Sequence, residues 1–183
     1  EKPGAALLNG IEESAVSNLG LRGIRLSLAQ TDVLETQFRA ILRAANSGHV
    51  RVLLPMVSQV GEIRRAREII KKAAAKLHRR GVTIPDPLPP MGVMIEVPGA
   101  ALAADAFAQA SDFFAIGSND LTMYTLAIDR GNEHVAHLFD PLHPGVLRLI
   151  QFTATAALRA RIPVSICGEM AGDPRYSALL LGL

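Results

Sequence analysis

MGVMIEVPGAALAADAFAQASDFFAIGSND, residues 91–120, holds the organisation of the chain in miniature. An apolar run ends on an acid, Glu96; Pro98 then opens an alanine-rich segment, and a second apolar run breaks abruptly into Ser118, Asn119 and Asp120. Apolar runs this short, rich in Val, Ile, Met and Phe, read as buried strands, and proline suits the first position of a helix, where an amide hydrogen would go unused. Strand, helix, strand in that order implies a parallel pair, because parallel neighbours need a crossover and not a tight turn.

The same unit recurs on both sides. Upstream, VRVLLP at 50–55 reads as a buried strand, and Ser58 opens a helix whose Val60, Ile63, Ala66, Ile69, Ile70, Ala73 and Leu77 keep a 3.6-residue period up to Gly81. Before it, Asp32 and Glu35 have the spacing of a capping box for a helix over 33–46, with Leu34, Phe38, Ile41, Leu42 and Ala45 as its apolar face. Residues 82–90 contain four prolines and predict an irregular, mobile excursion. Downstream, a helix is expected over 144–160 with Val146, Leu147, Ile150, Ala154, Ala157 and Leu158 on one side, followed by a strand over 164–167 that runs into GEMAGD. The rhythm is α/β with a parallel sheet. A TIM-type (β/α)8 barrel needs eight strands and typically about 250 residues, so this chain would be an incomplete barrel with about four to five of them. An open doubly wound sheet is the competing architecture.

Composition narrows the function classes. The 183 residues are 49% hydrophobic and 20% charged, which suits one compact domain and excludes a disordered chain. Nineteen Lys and Arg against seventeen Asp and Glu leave a formal charge of +2, too little to draw nucleic acid or anionic lipid. The lone Cys167 cannot close an internal disulfide, and a reducing cytoplasm is the expected compartment. EKPGAALLNGIEE lacks the pattern of a signal peptide, and no uncharged run approaches the roughly 18 residues of a membrane span, so membrane insertion is not expected. The start without Met and the end on ALLLGL suggest a piece of a longer protein.

Glu96 and Asp120 both fall at the carboxyl ends of strands, where α/β enzymes build their sites. Two acids at one rim suit Mg²⁺, which takes only one or two protein carboxylates; the ordinary alternatives are an arginine partner for Glu96 and a turn cap for Asp120. Arg22, Arg25, Arg51 and Arg130 stand near strand ends or turns and suggest an anionic substrate, although surface ion pairing would also explain each singly. Arg64, Arg65, Arg67, Lys71, Lys72, Lys76, Arg79 and Arg80, interleaved with Glu62 and Glu68, read as a solvated helix face. Cys167 places a thiol at the same rim, or is simply a small buried residue. The five histidines show no metal-ligand spacing, and Gly117, Gly131, Gly168 and Gly172 suit tight approaches without forming a GxGxxG or GKS/T phosphate loop.

GSNDLTMYTLAIDRGN at 117–132 resembles the signature of the phosphoenolpyruvate-utilising enzymes, and its TLAIDRGN ending is closest to the Enzyme I family of the bacterial sugar phosphotransferase system. LGLRGIR at 19–25, VLLPM at 52–56, MGVMIEVPGAA at 91–101 and CGEMAGD at 167–173 match in the family's order. The resemblance implies a phosphoenolpyruvate-binding TIM-type barrel over 1–183, dimeric in the full enzyme, that uses Mg²⁺ and passes a phosphoryl group toward a protein histidine while releasing pyruvate. Carried over residue by residue, Arg22 would contact the phosphoryl group, Glu96 and Asp120 would bind the metal, and Asn119, Asp120 and Arg130 would bind substrate. Cys167 would protonate the methylene carbon. The departures are Ser17 and Asn18 where the family has Asn-Pro, the missing remainder of the barrel, and the missing phosphohistidine domain through which a phosphocarrier protein would bind. The alternatives are the matching domain of pyruvate phosphate dikinase or phosphoenolpyruvate synthase, a silent phosphoenolpyruvate or keto-acid sensor, and an inactive fragment.

Overall fold

A computed structural model describes residues 18–183; of the Ser17–Asn18 pair, Ser17 lies outside the described residues. Four strands, β1 (Val52–Leu54), β2 (Met91–Ile95), β3 (Phe114–Gly117) and β4 (Val164–Cys167), form one sheet in the order β1-β2-β3-β4. Every neighbouring pair is parallel, with Val52 beside Met91, Val93 beside Phe114 and Gly117 beside Cys167. A doubly wound sheet reverses its strand order at a switch point. No reversal occurs among the described strands, and the α/β architecture is compatible with the open arc of an incomplete TIM-type barrel.

The two faces of the arc differ as the alternation of strand side chains requires. Val52, Leu54, Met91, Val93, Ile95, Phe114 and Ile116 are buried in one core with Ile63, Ala66 and Ile70 of α3 (Val60–Arg79) and with Val146, Leu149 and Ile150 of α7 (Pro144–Ala160). The opposite face carries Leu53, Gly92, Met94, Ala115 and Ser165, and ends at the carboxyl rim in Glu96, Gly117 and Cys167. Leu53 is 37% exposed on it, and Ser165 and Cys167 are exposed. On this face Leu53, Met94 and Glu96 line one cavity.

Helix boundaries follow the sequence closely except after Pro98, where the alanine-rich segment is split into α4 (Pro98–Leu102) and α5 (Ala104–Ala108), while caps and faces depart from it in places. α1 (Ile24–Ala29) leads into α2 (Thr31–Ala44), which begins before Asp32, so Asp32 lies inside the first turn and the expected capping box with Glu35 does not form. The box stands instead on α3: the Gln59 side chain accepts from the Glu62 amide, and Glu62 Oε2 accepts from Gln59 N at 2.8 Å. Glu35 reaches Lys76 Nζ at 2.7 Å, joining α2 to α3. Arg67 also leaves the solvated face assigned to it, donating to Ala110 O at 3.1 Å and pairing with Asp112 at 3.0 Å. On α7 the boundaries are as expected, but Leu149, Thr153 and Ala156 are buried while Leu158 is 70% exposed, so the inward stripe is turned relative to the expected one. The proline-rich residues 82–90 are irregular yet tied down, with Ile84 buried and Pro90 O accepting from Val52 N at 2.8 Å. No described helix is long and apolar enough to cross a membrane.

The Lys76 ammonium holds the Glu35 carboxyl below the usual carboxylate range, chiefly through their hydrogen bond. A lowered pKa contributes stability above the unfolded-state value and loses it as pH falls through the folded-state value. Glu35→Gln is therefore expected to lower stability by about 0.5 kcal/mol at neutral pH, with the difference from wild type vanishing in acid, as measured by denaturant melts across pH.

Candidate active site

The rim is assembled from the first residues after each strand. After β1 the chain turns at Met56, in the left-handed region at φ 57°, which aims the Met56 amide at Glu96 Oε1, 2.6 Å away. The loop preceding α1 docks on the same turn: Ile24 N donates to Pro55 O at 3.1 Å. That docking carries Arg22 over the rim, where Nη2 meets Asp120 Oδ2 at 3.1 Å and Nη1 donates to the Tyr124 hydroxyl at 3.1 Å. Asp120 stands in the first turn of α6 (Ser118–Leu126), which follows β3 without a loop. Arg22, Met56, Met94, Glu96 and Asp120 share one cavity of about 570 Å³ that continues between α2 and β1.

The β3–β4 side of the rim adds the remaining groups. Ser118 Oγ donates to Cys167 O at 2.7 Å, and Asn119 Oδ1 accepts from Glu169 N at 3.1 Å, so the start of α6 is stitched to the end of β4 and to α8 (Glu169–Gly172). Arg130 pairs with Glu169 and lies over the Phe139 ring, 4.8 Å from its centroid. Cys167 is exposed as a residue, which removes the buried-core alternative, but its Sγ lies 3.4 Å from Ile116 O. The strand end can approach α6 because Gly168 adopts φ +97° and has no side chain: a Cβ there would sit 2.4 Å from Ser118 Oγ. Gly168→Ala is expected to destabilise the fold by about 1–3 kcal/mol and to displace Asn119 and Cys167 together, measurable as a lowered melting midpoint with altered thiol reactivity.

Burial pushes the Glu96 carboxyl up, and the neighbouring Asp120 charge pushes the same way against the Met56 amide and Arg22. Glu96 is only 5% exposed and has no salt bridge among the described residues, so the arginine partner considered for it is absent, whereas Asp120 does have one. Burial, then the Glu96 charge, raises the Cys167 pKa and keeps the thiol protonated at neutral pH.

Arg22, Glu96, Asn119, Asp120, Arg130 and Cys167 thus lie along one continuous rim, with the cavity holding Arg22, Glu96 and Asp120. Arg51 lines the far end of that same cavity and does not reach the rim. It immediately precedes β1, so the parallel direction of the sheet puts it at the amino edge, where it lies over Phe113. Arg25 reaches Ser58 Oγ at 3.5 Å. His143 is structural, its Nδ1 accepting from Gly145 N at the start of α7. Gly172 faces open space and makes no tight approach. Tyr124, Ser118 and Glu169 are site residues that sequence reasoning did not assign. Tyr124 and Ser118 lie inside the quoted signature, and Glu169 lies inside CGEMAGD, which was the available signal.

Residues 4–183 match the model of a family described as PEP-utilising enzyme, PEP-binding domain, and the chain belongs to that family. It is 48% identical over all 183 of its residues to the phosphoenolpyruvate-protein phosphotransferase of Cupriavidus necator. Over 165 residues, 90% of the chain, it is 45% identical to the enzyme of that name from Listeria monocytogenes and 46% identical to that from Geobacillus stearothermophilus. The chain spans 31%, 29% and 28% of the lengths of these relatives.

Proposed function

We propose that this chain is the phosphoenolpyruvate-binding and proton-delivering part of a phosphoenolpyruvate-protein phosphotransferase. The observation that carries the reading is the convergence of a guanidinium, two carboxylates, an amide side chain and a thiol on one sheet rim. In this reading Arg22 binds the phosphoryl oxygens, Asn119 orients the substrate, and Arg130 holds its anionic end beside Glu169. The P–O bond of phosphoenolpyruvate breaks as a bond forms from phosphorus to an imidazole nitrogen supplied by another part of the protein. The enolate left behind takes the Cys167 Sγ proton at its methylene carbon, giving pyruvate, and water reprotonates the thiolate. Positioning and electrostatics carry such a transfer, since little covalent chemistry is asked of the protein.

The residues at the rim fit Mg²⁺. Glu96 and Asp120 line one cavity, and two carboxylates are what Mg²⁺ takes from a protein when its other positions are kept for water and substrate oxygens; among the described residues no group of three or more His, Cys, Asp or Glu side chains stands together. The Met56 amide occupies Glu96 Oε1, while Oε2 lies over Gly117, where a Cβ would stand 2.7 Å away and crowd it. Glu96 and Asp120 would hold the ion, which when bound neutralises charge on the substrate's oxygens. A phosphocarrier protein, a homodimeric assembly and a cytoplasmic setting complete the proposal.

Calorimetric titration with phosphoenolpyruvate of the protein that carries this chain tests the reading. Binding is expected to require Mg²⁺ and to weaken by about 10²-fold in Arg22→Ala. Magnesium-independent binding that survives replacement of both Glu96 and Asp120 would overturn the metal assignment.

A further inference from the structure

We propose that Tyr124 is a positioning residue for this reaction: its hydroxyl holds one arm of the Arg22 guanidinium and so keeps Arg22 from closing fully onto Asp120. The inference rests on the role given to Arg22 under Proposed function.

Asp120 and Tyr124 are four residues apart on α6 and therefore share a helix face, bracketing the guanidinium between them. Nη2 goes to Asp120 Oδ2 and Nη1 goes to Tyr124 Oη, each at 3.1 Å, so the fork is split between two partners. A guanidinium can only donate, so the Tyr124 oxygen accepts from Nη1 and its own hydrogen is free for another partner. Tyr124 donates its own hydrogen to Asn18 O, four residues before Arg22 in the same loop, and Met56 Sδ lies 3.8 Å from the oxygen. One oxygen thus ties both the backbone of the arginine's loop and the head of its side chain to α6. Without it, an arginine beside a carboxylate is free to take the bidentate geometry the pair prefers. That closure would turn donors of Arg22 away from the phosphoryl group, reducing what the arginine offers to substrate.

The test is a double-mutant cycle in the protein that carries this chain, read as phosphoenolpyruvate affinity, pyruvate affinity and melting midpoint. Tyr124→Phe differs from wild type by one oxygen and is expected to weaken phosphoenolpyruvate about tenfold, the scale of a bond to a charged group, while leaving pyruvate, which has no phosphoryl group, unchanged. In an Arg22→Ala background the same substitution is expected to have no further effect, because the residue it acts through is gone. Should Tyr124→Phe fail to fold, 3-fluorotyrosine at 124, which keeps the oxygen but weakens it as an acceptor, runs the same cycle. Additive losses, or equal weakening of phosphoenolpyruvate and pyruvate, would make Tyr124 merely structural and overturn the inference. Undiminished phosphoenolpyruvate binding by Arg22→Ala would instead overturn the role of Arg22 itself, and the two failures are read from different arms.

Discussion

Cys167→Ala is expected to slow pyruvate formation by about 10²–10⁴-fold, the range of a general acid's contribution, while phosphoenolpyruvate affinity stays within about threefold. The asymmetry follows from where the thiol stands. Cys167 is beside Gly117 in the strand register, across the rim from Arg22, and none of the ion pairs at the rim involves it. In the proposed reaction its loss removes a proton from the late step and leaves the proposed anion-binding groups in place. The raised thiol pKa fixes the sign of the pH dependence. The protonated acid is fully present below the ordinary thiol range and is lost only as pH climbs through the raised value, so wild type should show an alkaline decline that the alanine variant lacks. Exchange of the methyl hydrogens of bound pyruvate with solvent is the direct measurement. A variant that kept normal exchange while losing phosphoenolpyruvate binding would show that the sulfur packs and does not donate.

Why the thiol, the two acids and the arginines could be nominated from sequence, while Tyr124 could not, has a physical explanation. A strand end is a one-dimensional signal: the apolar run stops, and the next residue is at the rim, which placed Glu96, Asp120 and Cys167 correctly. Arg51 stands at the far end of the cavity and not at the rim because the same logic needs a direction, and a residue before a strand lies at the opposite edge. α6 gave no periodic signal because two of its buried positions are Ser118 and Thr122, whose hydroxyls are satisfied by Cys167 O and by Ser118 O at 2.7 Å each. Hydroxyls paired this way are inexpensive to bury, yet they read as surface in a hydropathy pattern. Without that helix the four-residue offset between Asp120 and Tyr124 has no geometric meaning. The expected capping box was misplaced for a similar reason: Glu35 is better satisfied by Lys76 on another helix, a partner 41 positions away that local spacing does not reveal. The rotated stripe on α7 reflects a tertiary decision of the same kind, with Thr153 buried through a bond to Leu149 O and the larger Leu158 left outside.

Glu96→Gln should separate what the acid does for the fold from what it does for the ligand. Glutamine keeps an oxygen that can accept from the Met56 amide, so the turn after β1 and the loop bearing Arg22 stay in place. What it removes is the charge. Burial and Asp120 hold the Glu96 pKa above its ordinary value, which means that stability is highest when Glu96 is protonated and is lost as pH rises from the ordinary carboxylate range through the raised one. At neutral pH and without metal, the permanently neutral glutamine is therefore expected to melt at or above the wild-type temperature. Phosphoenolpyruvate affinity in the presence of Mg²⁺ should nevertheless fall by about 10²-fold or more, because half of the anionic donor set is gone. Glu96→Ala provides the contrast: it strands the buried Met56 amide and should cost about 1–3 kcal/mol of stability as well. The two sites are also coupled, since the Glu96 charge contributes to the raised Cys167 pKa, so the alkaline limb of turnover should move to lower pH in Glu96→Gln. If Glu96→Gln binds phosphoenolpyruvate with undiminished affinity and unchanged dependence on magnesium, the buried acid is a structural acceptor for the Met56 amide and not a ligand. If it melts well below wild type, the charge is compensated in the fold and the strain inferred from its burial is absent.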